Sequence, residues 1–152
     1  MSGRTKRDPH ERPRWFEERG PIFQRAAARF VDELAGKPGV LRILLIGSVA
    51  RGERRPSDLD FAVIVSDPEE AVPHVSRAKR RLSQITHLAD VFVFDVAGQY
   101  LGRICQRAPS NCPTRSIECI PGCGAVQCLK IIPGFQACGD ILHGARQLWS
   151  KT

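Results

Sequence analysis

The sequence predicts an α/β fold: a small mixed β-sheet with flanking helices, continued by an atypical cysteine-rich tail. Three observations carry this. Apolar runs of strand length occur at Val40–Ile46, Asp58–Val65 and Ala89–Phe94, and helical periodicity appears before the first run and between the second and third. Strand, loop, strand, helix, strand in that order describes helices packed on one small sheet. The 152 residues, 42% of them hydrophobic, suffice for one domain with a real core. No apolar run approaches the roughly 18 to 20 residues that a membrane span needs. The segment Met1–Asp8 lacks the apolar stretch of a signal peptide, so a cytoplasmic location is expected.

Residues 1–20 mix Arg, Lys, Asp, Glu and Pro without a sustained period and read as a flexible basic arm. The domain proper, residues 21–107, opens at Pro21, a residue suited to the first helical position, and Phe23, Ala27, Phe30, Val31 and Leu34 then fall on one helical face. That helix stops near Gly36-Lys37-Pro38-Gly39. Val40–Ile46, interrupted only by Arg42, has the near-continuous apolar character of a strand buried on both faces. Gly47-Ser48 ends it. Residues 49–56 are short and basic, and Pro56 and Ser57 lead into the second strand. Asp67 is expected to cap the next helix, with Pro68 at its first position and Glu70 placed for a capping box, so Asp67 is read as structural. The helix runs through Pro73 toward Leu82 and Ile85, and the third strand follows.

Gln99–Arg107 is expected to form one more short helix, with Leu101, Ile104 and Cys105 on one face. Residues 108–152 form the tail, rich in Cys, Pro and Gly. Out of it Ile141–Trp149 reads as a terminal helix, packed through Trp149 onto the body or a partner. All six cysteines fall between Cys105 and Cys138, at separations mostly too wide for the close pairs of a structural zinc site. A cytoplasmic location disfavours disulfides, so free thiols are expected.

The net charge of +7 suits a phosphate-rich partner such as a nucleoside triphosphate, RNA or an acidic protein. Arg51, Arg54 and Arg55 adjoin the Gly-Ser turn, whereas Arg77, Lys79, Arg80 and Arg81 read as a solvated helix face. On a strand, residues two apart share a face, which puts Asp58 and Asp60 together. Unpaired they would repel, and a hard divalent cation such as Mg²⁺ removes that cost. Gly47 lets main chain approach a phosphate without Cβ interference, and Ser48 offers a hydroxyl. A third carboxylate from a neighbouring strand would complete a two-metal site. Asp90 and Asp95 flank the third strand, and in any simple register Asp90 is the one level with Asp58 and Asp60.

With Gly47-Ser48, Arg51-Gly52, Ser57-Asp58-Leu59-Asp60 and Ala89-Asp90-Val91 in that order, the chain resembles the nucleotidyltransferase superfamily of DNA polymerase β type. It is most similar to the minimal nucleotidyltransferase branch, over roughly residues 25 to 105. The resemblance implies a polymerase β-like fold. It implies Gly47, Ser48, Arg51 and Ser57 around the triphosphate of ATP or another nucleotide, and Asp58, Asp60 and Asp90 as the catalytic set binding two Mg²⁺. Asp90 would also be the base that activates the acceptor hydroxyl. Members of this branch are commonly antitoxins that silence a HEPN-domain ribonuclease by transferring AMP to a tyrosine hydroxyl. The implied partner is therefore a HEPN-type toxin, with any nucleic-acid contact made through it, and self-association is left open. Two other readings stand beside this one: a catalytically silent nucleotide- or partner-binding module, and a small-molecule, antibiotic-modifying nucleotidyltransferase. The tail departs from the family, whose minimal members usually close with a short helix after the third strand.

Overall fold

Three strands whose side chains are apolar on both faces form the centre of the molecule. The computed structural model describes residues 14–53, 56, 58–104, 129–130, 142 and 144–151. In chain order the elements are α1 (Arg14–Leu34), β1 (Val40–Ile46), α2 (Gly47–Ala50), β2 (Leu59–Val65), α3 (Pro68–Leu82), β3 (Ala89–Phe94), β4 (Tyr100–Ile104), β5 (Leu129–Lys130) and β6 (Arg146–Ser150). They build a six-stranded sheet in the order β5-β4-β3-β2-β1-β6. Strands β2 and β3, joined through α3, run parallel. Every other neighbouring pair is antiparallel, which makes the sheet mixed, as expected.

Alternation along the strands divides the core in two. Ile43, Leu45, Leu59, Phe61, Val63, Val91 and Val93 meet the helices, where Phe23, Ala26, Phe30 and Leu34 of α1 and Ala71, Val75, Ala78 and Leu82 of α3 are buried. Phe30 stacks on Phe61 with ring centroids 4.4 Å apart. Leu44, Ile46, Ala62, Ile64, Phe92 and Phe94 form a second cluster on the other face, with Tyr100, Leu142 and Ala145 packed against it. Burial on both faces explains why these strands read as unbroken apolar runs. Asp67 caps α3, its Oδ1 accepting from the N–H groups of Glu69 and Glu70 at 3.1 and 3.4 Å. No helix among the described residues is long and apolar enough to cross a membrane.

Several expectations are corrected. Helix α1 begins at Arg14, so residues 14–20 belong to it rather than to a loose arm, and Pro21 lies inside it. Proline favours a first helical turn, which is why it reads as a start. Here the helix continues past a missing N–H bond because the stripe that follows is anchored in the core. Residues 100–104 are strand β4, not a helix, and their antiparallel partner is β3. A tight turn makes the hairpin: Asp95 Oδ1 accepts from the N–H groups of Ala97 and Gln99 at 2.9 Å, and Gly98 takes φ 82°.

The terminal helix expected over Ile141–Trp149 is also replaced by a strand. Residues 146–150 are β6, antiparallel to β1. Arg42 Nε donates to Gln147 Oε1 at 2.8 Å, and the N–H of Lys151 donates to Leu41 O at 2.8 Å. Leu148 and Trp149 are partly buried against the helix-side core. Residues beyond 107 therefore contribute β5 and β6 to the same sheet. The six cysteines, Arg54, Arg55 and Ser57 lie outside the described residues.

Candidate active site

Gly47 follows β1 with φ 72°, a backbone conformation that glycine adopts readily and other residues rarely do. A Cβ at this position would stand 2.7 Å from Asp60 Oδ2. The main chain of the turn thus lies directly against the Asp60 carboxylate. Gly47–Ala50 form the single helical turn α2, closed where the N–H of Arg51 donates to Gly47 O and that of Glu53 to Ser48 O, both at 3.1 Å. Ser48, only 7% exposed, donates its hydroxyl to the main-chain carbonyl of Asp58 at 3.2 Å. That hydrogen bond ties the turn to the start of β2.

Leu59 is wholly buried on the helix side, so strand alternation sends Asp58 and Asp60 to the opposite face. In the register of β2 and β3, Asp60 is paired with Asp90. Parallel neighbours lie ~4.8 Å apart, so the two carboxylates share one end and one face of the sheet. Asp95 is at the far end of β3, where its side chain is occupied in the hairpin turn. Arg51 is exposed and ion-paired with Glu53 at 3.2 Å.

The electrostatics follow from this convergence. Burial foremost, then Asp90 and Asp58, push the Asp60 carboxyl up to about 7, while Arg51 opposes the rise. Asp90 has a cation of its own: Arg103 of β4 brings Nη1 to 3.5 Å from Asp90 Oδ1, with both side chains 28% exposed. Lys79 of α3 is 1% exposed and donates through Nζ to Ser83 Oγ at 3.0 Å. Burial holds its amine below the ordinary lysine range, with Asp90 opposing and Arg103 reinforcing the effect. The solvated basic face expected on this helix therefore excludes Lys79. Neither Lys79 nor Arg103 was legible as part of a site, although Lys79 interrupts the buried stripe Ala71, Val75, Ala78 and Leu82 and so carried a signal.

The donor chemistry fits a divalent cation. Three carboxylates are hard oxygen ligands of the kind Mg²⁺ takes. Among the described residues no three His, Cys, Asp or Glu side chains are already gathered around one point. Asp90 Oδ1 is instead engaged by Arg103.

The family model described as Nucleotidyltransferase domain matches residues 25–111, which span every residue placed above. The chain belongs to this family. No curated protein and no solved structure matches it. As a nucleotidyltransferase domain, it has a glycine-serine turn against paired carboxylates, an arrangement suited to nucleotidyl transfer.

Proposed function

We propose that this nucleotidyltransferase domain moves AMP from ATP onto a hydroxyl of a partner protein. Asp58, Asp60 and Asp90 would hold Mg²⁺, two ions when fully loaded, and Gly47, Ser48, Arg51 and Ser57 would face the triphosphate. The observation that carries the reading is the pairing of Asp60 with Asp90 while the Gly47 main chain abuts the Asp60 carboxylate.

Mg²⁺, if held by Asp58, Asp60 and Asp90, would supply positive charge to lower the pKa of the acceptor hydroxyl and to neutralise the departing pyrophosphate. Asp90 accepts the hydroxyl proton. The acceptor oxygen bonds to the α-phosphorus as the bond to the pyrophosphate oxygen breaks. The Gly47 turn, with no Cβ in the way, brings main chain close to the phosphates, and the hydrogen bond from Ser48 to Asp58 O holds the strand entrance still.

A protein acceptor is favoured by where the carboxylates sit. They lie half-buried at one end of the sheet, whereas a cavity of about 710 Å³ lies on the helix side, lined by Phe23, Ala27, Val31, Leu45, Leu59 and Leu148, and none of the three aspartates lines it. A site of this shape suits an acceptor that brings its own surface. A HEPN-type toxin presenting a tyrosine in the cytoplasm is such an acceptor.

The test is to incubate the protein with labelled ATP, Mg²⁺ and the HEPN-like product of an adjacent reading frame. The wild type should label that partner, and Asp58→Asn combined with Asp60→Asn should abolish labelling. Labelling that persists in the double variant would overturn the ligand assignment. Absence of labelling with every nucleotide would leave a silent binding module.

A further inference from the structure

Among the described residues, Asp90 is the one of the three aspartates met by a cation at ion-pairing distance. Arg103 lies on β4, where its register partner on β3 is Phe92, two residues from Asp90. Residues two apart on a strand share a face, so Arg103 and Asp90 lie diagonally on the side of the sheet that carries Asp60. The guanidinium reaches Asp90 Oδ1 at 3.5 Å. Asp60, by contrast, has the Gly47 turn on one side and Asp90 on the other.

We infer that Arg103 is the resident counter-ion of the metal-free site, a guanidinium that holds Asp90 until a divalent cation displaces it. The inference rests on the reading of Asp90 as a metal ligand. An arginine keeps its charge throughout the working pH range, so its competition with an incoming cation is permanent. It cannot be switched off by deprotonation and ends only when the guanidinium gives up the carboxylate oxygen. Arg103 is thus a positioning residue. It restrains the third carboxylate until a cation arrives and sets how much free divalent cation is needed to recruit it. Among the described residues neither Asp58 nor Asp60 is ion-paired, Arg51 being paired with Glu53 and acting on Asp60 from farther off.

The probe is Mn²⁺ alone, with binding to the full chain measured by calorimetry and by its electron paramagnetic resonance signal, without nucleotide. Arg103→Ala should tighten Mn²⁺ binding about tenfold, because a positive charge beside a ligand oxygen is removed. Arg103→Gln, which retains much of the side chain, should tighten it in the same direction, and Arg103→Lys should stay near wild type. In an Asp90→Asn background the effect of Arg103→Ala should vanish. Unchanged or weaker binding in both Arg103→Ala and Arg103→Gln would overturn the inference. If Asp90→Asn binds Mn²⁺ as tightly as wild type, the assignment of Asp90 as a ligand fails instead. If Asp90→Asn weakens binding while the arginine variants do not tighten it, only the counter-ion role fails.

Discussion

Asp60 and Asp90 face each other across parallel strands, one carboxylate pushed up to about 7 and the other ion-paired with Arg103. The asymmetry gives the metal-free protein a pH dependence whose sign is fixed. Asp60 binds its proton more tightly folded than unfolded, so its stabilising contribution is full below about 3.8 and is lost as pH rises through about 7. In chelator, the wild type should therefore lose stability between pH 5 and pH 8. Because the side chain is partly solvated, screening limits the loss to about 1–2 kcal/mol. Thermal melts of wild type and Asp60→Asn across that range check this. The variant should be the more stable of the two at pH 8, and added Mg²⁺ should close the gap. Parallel pH profiles for the two proteins would refute the account.

Gly47→Ala should damage the site more than the fold. The new Cβ would stand 2.7 Å from Asp60 Oδ2 on a backbone with φ 72°, so either the turn or the carboxylate must move. A destabilisation of about 1–3 kcal/mol is expected. Displacing a reacting group by an ångström can cost about a hundredfold in rate, and that is the loss expected in nucleotidyl transfer. A variant that melts like wild type and turns over at more than half its rate would show that the contact is not needed.

What could be read from the chain was what strand alternation alone decides. Asp58-Leu59-Asp60 announces its shared face because Leu59 must point into the core, and Ala89-Asp90-Val91 repeats the pattern. Arg103 was hidden because Gln99–Arg107 satisfies a helical spacing as well as a strand. The Asp95 turn, whose side chain accepts two main-chain N–H groups, decides for a hairpin. Arg146–Ser150 carries no local preference strong enough to choose, and the unpaired edge of β1 makes it a strand. Lys79 looked like one more member of a basic run, since burial of a single lysine depends on what α3 packs against.

The edge strand leads to a test of the tail. Removing residues 145–152 would strip β6 from β1 and expose the apolar surface that Leu148 and Trp149 cover on the helix-side core. A loss of about 2–4 kcal/mol is expected from that area alone. Urea unfolding of the truncated and full chains measures it. An unchanged midpoint would mean that β6 adds pairing without stability.

Lys79→Met should separate cost from purpose at the buried amine. Lys79 is 1% exposed, its hydrogen bond goes to Ser83 Oγ rather than to a carboxylate, and burial opposes its charge. Replacing a buried charge by an apolar side chain of similar length is often neutral or stabilising. The expected outcome is therefore an unchanged or higher melting temperature, a gain of up to about 1 kcal/mol. Stability and activity should then part company, because removing the amine also removes one of the two cations that act on Asp90. A modest fall in kcat, about threefold to tenfold, should accompany the preserved fold. Lys79→Arg tests the geometry, since a bulkier cation in a filled core should destabilise through overpacking. If Lys79→Met lost several kcal/mol instead, the amine would be holding the packing of α3 on the sheet, and its effect on Asp90 would be incidental.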